Sequence, residues 1–177
     1  VRSGDRIHIS GNNGSGKTTL VKLLLGELEP TAGTIMRTGF SYLYIDQECS
    51  VIDPRLTVFE QTERFNTGNW AEHELKSILN RYLFPYDTWD KGCACLSGGE
   101  KIRLLFCCLM IGNNAPDVFI LDEPTNNLDI QSVEIITAAI KSYRGTVLLI
   151  SHDHYFVKEI KINRSIKLFD TGSVIKI

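Results

Sequence analysis

Apolar positions along the chain come in three textures. In the first, Ile7 and Ile9 alternate with polar neighbours and run straight into glycine, which predicts a strand entering a tight turn. The runs DVFIL (117–121) and TVLLI (146–150) are continuous, as expected of strands buried on both faces of a parallel sheet. In the second, apolar residues recur at spacings of three and four. KTTLVKLLLG (17–26) reads as a short helix stopped by Gly26, and Val133, Ile136 and Ile140 give one face of a helix over 130–142. Leu75, Ile78, Leu79, Tyr82 and Leu83 form another such face. In the third, the helix from about Gly99 to Ile111 is apolar on nearly every side, so it is expected to be buried. PTAG (30–33) is a turn, short strands are expected around 34–37 and 42–46, and SIKLFDTGSVIKI reads as a hairpin turning at 170–173. Strands alternating with helices imply a parallel α/β sheet. Residues 50–96, with Pro85, Trp70 and Trp89, read as a mainly helical subdomain inserted into it.

Composition narrows the setting. A length of 177 residues suits one domain with a real core. A formal charge of −2 gives no electrostatic reason to expect nucleic-acid binding by this domain alone. The five cysteines form no C-x-x-C pair, and Cys107 and Cys108 lie in the apolar run LLFCCLMI, where thiols behave as small hydrophobes. A reducing cytoplasm is therefore the expected location. No run of about 18 apolar residues exists to insert in a membrane. The first residues run directly into a strand, so the chain reads as one domain cut from a longer protein.

GNNGSGKT (11–18) fits G-x-x-x-x-G-K-[ST], after a strand and before a helix. Gly11, Asn12, Asn13, Gly14, Ser15 and Gly16 would turn backbone N–H groups onto phosphates at a helix N-terminus, a segment closed by Thr19. Lys17 would reach the β- and γ-phosphates of ATP, and the Thr18 hydroxyl would ligate Mg²⁺. VFILDEP ends a buried strand in two carboxylates. Asp122, at the sheet's C-terminal edge, is suited to Mg²⁺. Glu123 is expected to face the other way along an extended chain and to act as general base on a water. TVLLISHD repeats the arrangement and would put His152 at the γ-phosphate, while His8, His73 and His154 are read as structural.

LSGGE opens the buried helix with two glycines, a second anion-binding terminus formed by Leu96, Ser97, Gly98, Gly99 and Glu100. One nucleotide does not need two such termini from one domain. A dimer in which each domain lends one to the other's ATP explains both. With GNNGSGKT, Gln47 in YIDQ, LSGGE, ILDEP, NNLD and SHD in this order, the chain resembles the ABC ATPase superfamily over nearly its whole length. The resemblance implies an α/β fold: a P-loop NTPase core with a parallel sheet, an antiparallel β portion and an inserted helical subdomain. It implies an ATPase that converts ATP and water to ADP and phosphate and needs a paired ABC domain. Gln47 would link the metal and attacking water to the helical subdomain, Glu123 would be the base and His152 the γ-phosphate switch. Ser97, Gly98 and Gly99 would contact the partner domain's ATP, and Asp129 would lie at the dimer seam. The aromatic residue on which such domains stack adenine would lie upstream of this stretch.

LDEPTNNLD with SHDHYFV looks like the ABC-F group, soluble tandem-domain proteins that act on the ribosome in translation, some of them in antibiotic resistance. Glu100 in place of Gln fits that group, whereas Asn127 stands where it more often has His. The expected organisation is one nucleotide-binding domain, with its core at about 1–49 and 112–177 and a helical subdomain at about 50–111, the second of two ABC domains in the parent chain. Its partner would be that other domain, or a second copy when excised, and ribosome contact would come from regions outside this chain. The alternative is the ATP-binding subunit of a membrane transporter. A DNA-repair or chromosome-structure ATPase would carry a coiled coil or zinc module between 50 and 96, where neither heptads nor C-x-x-C pairs occur.

Overall fold

A computed structural model describes residues 1–46, 49–112, 115–126 and 128–169. The chain divides into two compact units. The first comprises Val1–Tyr44, Pro116–Asp122 and Gly145–Ile177, and the second Ile45–Ala115 and Glu123–Arg144.

The first unit is built on a sheet of β1 (Arg6–Ser10), β2 (Tyr42–Ile45), β3 (Val118–Asp122), β4 (Thr146–Ile150) and β5 (Arg164–Lys167), in the order β2-β3-β4-β1-β5. β4 is central and buried at every position, which is why its sequence is an unbroken apolar run. β1 pairs in parallel with β4 and β5, and β3 in parallel with β4. The helix α1 (Lys17–Leu25) buries Val21 against Ile7, Ile9, Ile120, Leu148 and Ile150, flanked by Leu20 and Leu24. It ends at Gly26, whose φ of 82° is the left-handed stop that glycine adopts without strain.

One β expectation is corrected. Residues 34–41 carry no strand, because Met36 is 98% exposed and a strand needs both a paired neighbour and a buried side. An isolated antiparallel bridge joins Thr57 and Gly92. The hairpin turn at 170–173 lies outside the described residues.

The second unit is helical, with α2 (Val58–Arg64), α3 (Glu72–Arg81), α4 (Gly98–Ile111) and α5 (Ile130–Ser142), and 3-10 turns at Tyr86–Thr88 and Cys93–Cys95. α4 packs against α2, α3 and α5, so it needs apolar residues nearly all round and buries Ile102, Leu104, Leu105, Phe106, Cys107, Cys108 and Ile111. α3 buries Leu75, Ile78 and Leu79 as its periodicity predicts. Leu83 departs from that face: the helix has ended at Arg81, and Leu83 turns left-handed (φ 61°) and is 39% exposed. Among the described residues no helix is long and apolar enough to cross a membrane.

Candidate phosphate site and signature helix

The chain leaves β1 at Ser10 and enters α1 at Lys17 through a loop that only glycine can make at its fixed points. Gly11 has φ 151°, and a Cβ there would lie 2.6 Å from Ser15 Oγ and 2.8 Å from the Leu168 carbonyl oxygen. Gly14 and Gly16 have φ 83° and 92° with open space around them, so conformation rather than room demands glycine. Gly16 is the N-cap of α1 and offers no side-chain cap, leaving the first-turn N–H groups without a side-chain acceptor from the cap. Lys17 Nζ donates to the carbonyls of Gly11 (2.8 Å) and Asn12 (2.9 Å), which folds its ammonium back across the loop. The Ser15 amide donates to the Asn12 carbonyl, and Ser15 Oγ is buried with no hydrogen-bond partner. Asn12, Asn13, Thr18 and Thr19 are exposed along the loop and the first turn.

Register gathers the rest of the edge. Asp122 is level with Ile150 in β4, and Ile150 is level with Ile9 in β1. At the usual inter-strand spacing, the Asp122 and Ile9 backbones lie roughly 10 Å apart, with the loop starting two residues past Ile9 and His152 two past Ile150. This is the carboxyl edge of parallel strands, where ligands bind in open α/β sheets. Asp122 Oδ2 accepts a hydrogen bond from Tyr44 Oη (2.8 Å), so β2 orients the carboxylate. The buried Ser151 accepts the Asp153 amide on its hydroxyl, and Asp153 caps the short helix α6 (His154–Glu159) by accepting the Phe156 amide. His152 is thereby held exposed between two fixed residues. The Ser151 carbonyl lies 3.0 Å from the His8 ring, which gives His8 the structural part expected of it, while His73 and His154 are exposed on α3 and α6.

Glu123 lies outside the extended backbone of the strand, so strand alternation does not decide where it faces. β3 ends at Asp122, and Glu123 has φ 50°, a left-handed conformation that is sparse for a non-glycine residue. Gln47 lies outside the described residues.

In the second unit, Ser97 caps α4. Its hydroxyl accepts the Glu100 amide (3.2 Å) while Glu100 Oε2 accepts the Ser97 amide (2.8 Å), a reciprocal capping box. Glu100 Oε1 accepts from Lys91 Nζ at 2.9 Å. Burial pushes the Glu100 carboxyl up, but the Lys91 hydrogen bond and the Ser97 amide outweigh it and hold the group below its ordinary value. Leu96 is buried at the entry to this helix. Gly99 is closely packed, since a Cβ there would come 3.2 Å from Leu128 Cδ2 and 3.6 Å from Ser132 Oγ, whereas Gly98 stands in open space. Asp129 caps α5, accepting the Ser132 amide (2.8 Å) and hydroxyl (2.9 Å), which lower its carboxyl from the ordinary range. The start of α4 therefore packs on the cap of α5.

Two residues of these networks, Tyr44 and Lys91, carry no signal in the sequence. The capping box was legible as Ser97-x-x-Glu100 ahead of an apolar run. Tyr44 and Lys91 act through contacts that no local spacing encodes.

Residues 1–126 match the protein family described as ABC transporter. The ABC transporter F family member 5 of Arabidopsis thaliana is 40% identical over 173 residues, 96% of this chain and 24% of that protein. The ATP-binding protein Uup of Escherichia coli (strain K12) is 39% identical over 161 residues, 89% of this chain and 25% of that protein. The chain thus spans about a quarter of the length of these curated relatives. Among solved structures, an archaeal ribosome recycling factor, aABCE1, in complex with the ribosomal stalk protein aP1, superposes with a TM-score of 0.72 at 28% identity, over 94% of this chain and 32% of that one. The chain belongs to the ABC transporter family, as an ABC ATPase domain whose curated relatives are of the F type.

Proposed function

We propose that this chain binds ATP and hydrolyses it as one of a pair of ABC domains, in a cytoplasmic ABC-F-type protein that works on the ribosome. The observation that carries the nucleotide reading is the shared carboxyl edge, with the glycine-built loop at β1, Asp122 at β3 and His152 beyond β4. The uncapped first turn of α1 and the Lys17 ammonium supply fixed positive charge for phosphate oxygens. The exposed Thr18 hydroxyl and the Tyr44-oriented Asp122 carboxylate form a hard oxygen set that fits Mg²⁺, which when bound neutralises charge on the β- and γ-phosphates. Glu123, the residue after β3, takes a proton from the attacking water, and His152 holds the γ-phosphate from the far side of the row. Gln47 would, as the family resemblance implies, link the metal and attacking water to the helical subdomain.

Ser97, Gly98 and Gly99 serve the ATP of the partner domain, with Asp129 near the seam. Closure on two ATP molecules then depends on the γ-phosphates, and hydrolysis opens the pair. The F-type relatives and the likeness to a ribosome recycling factor support the ribosomal reading. Drug protection in the parent protein is a narrower form of it.

The test uses the intact protein carrying Glu123→Gln, with hydrolysis expected to fall at least about 100-fold while ATP is retained. Spun with ATP through a sucrose cushion, it should co-pellet with ribosomes and not with membranes. Pelleting with membranes alone would replace the ribosomal reading with that of a transporter subunit. Unaltered hydrolysis would remove Glu123 as the base.

A further inference from the structure

We infer that Lys91 is a positioning residue for the signature serine, tying the start of α2 to the start of α4 and holding Ser97 in register for the partner's nucleotide. The inference rests on the proposed role of Ser97 toward an ATP held in trans. Lys91 precedes the signature by a 3-10 turn, and its main chain and side chain serve different helices. Its carbonyl accepts the Val58 amide (3.0 Å) in the first turn of α2, beside a bond from the Phe59 amide to the Trp89 carbonyl and one from the Cys93 amide to the Leu56 carbonyl. The stretch from Trp89 to Cys93 is thus fastened along the start of α2. The Lys91 ammonium reaches forward to Glu100 Oε1, while the second oxygen of the same carboxylate takes the Ser97 amide.

A carboxylate shared in this way has little freedom. Without the lysine, one oxygen loses its fixed donor and the side chain regains rotamers in which the Ser97 amide is released. Glu100 itself does not reach outward, so the effect on a ligand passes through the serine. A local change at the start of α2 would pass along the Lys91 backbone to the same place.

The pair is partly exposed, with the Lys91 and Glu100 side chains 34% and 24% accessible, so its expected worth is that of a screened, charge-assisted contact. In steady-state ATPase assays on the intact protein, Lys91→Met should lower kcat about fivefold with KM for ATP unchanged, because the chain's own phosphate loop is untouched. Lys91→Arg should restore most of the rate. In a Glu100→Gln background, Lys91→Met should add almost nothing, as the charge it pairs with is gone. A wild-type kcat for Lys91→Met, or the same fivefold loss with and without the Glu100 charge, overturns the assignment. Ser97→Arg separates the two levels. If hydrolysis survives it, the underlying signature reading falls. If hydrolysis is lost while Lys91→Met is unaffected, only the assignment of Lys91 falls.

Discussion

Gly11→Ala should destabilise the fold far more than the same change at Gly14, although both belong to one loop. The φ of 151° at Gly11 lies where an L side chain is strained, at about 1–3 kcal/mol. The added methyl also meets two atoms. Ser15 Oγ, 2.6 Å away, ends a side chain that can rotate, so that contact is cheap. The Leu168 carbonyl oxygen, at 2.8 Å, is main chain, and the Leu168 amide is itself bonded to the Ser10 carbonyl at 2.8 Å. Relief therefore needs a shift of backbone beyond β5 against its pairing with β1, an overpacking cost of about 1–3 kcal/mol. Together the two come to about 2–6 kcal/mol, a fall in Tm of about 4–24 °C for a chain of this size. At Gly14 the φ of 83° is also left-handed but nothing lies within 4 Å of the new atom, so only the conformational cost of about 1–2 kcal/mol applies. That is a fall of about 2–8 °C. Thermal melts of the two variants without nucleotide decide the matter. If Gly11→Ala melts no lower than Gly14→Ala, the close approach of Leu168 is not what demands glycine there.

Three further outcomes are expected. Tyr44→Phe removes the bond to Asp122 Oδ2, worth about 1 kcal/mol, and should raise the Mg²⁺ concentration for half-maximal ATPase about fivefold with little change in kcat. Asp129→Ala removes the cap of α5 and should cost about 1 kcal/mol, read as a Tm lower by about 2–4 °C. The Asp129 carboxyl is depressed by the Ser132 amide and hydroxyl, so the wild-type advantage is present above the ordinary carboxylate range and is lost as pH falls through the depressed range; the Tm gap between wild type and Asp129→Ala should be full at about pH 7 and shrink as the pH is taken below that range. Iodoacetamide at about pH 8 should label the exposed Cys95 first, since burial pushes Cys49 up to about 12 and Cys93 to about 11 and holds Cys107 and Cys108 higher still; mass spectrometry of the native protein reads this directly.

Much of the fold was legible where one local rule decided it. DVFIL and TVLLI read as central strands because nothing polar interrupts them, and the burial of β4 at every position is the reason. The buried helix after LSGGE read correctly for a like cause, being surrounded by three others. Failures came where tertiary context decided. Residues 34–37 have the composition of a strand but no paired neighbour, and Leu83 continues a periodicity whose helix has already stopped. At the site, the glycine positions and Asp122 were readable from spacing. The direction of Glu123 was read from strand alternation, but its backbone is left-handed, so alternation does not govern it. Tyr44 and Lys91 escaped notice because a bond spanning 78 residues, or one across a 3-10 turn, leaves no period in the chain.

The capping box at Ser97 has a consequence for what that hydroxyl can say to an anion. A serine oxygen carries two lone pairs and one proton. Here one lone pair faces inward, taken by the Glu100 amide, so the second lone pair and the proton remain, and of these only the proton can serve an anion. The cap thereby uses part of the hydroxyl's accepting capacity and none of its donating capacity, which is the part an anion needs. Threonine could preserve that division. Asparagine, which also caps well, would present an amide with a different reach and two protons, and so would keep the helix while changing its message.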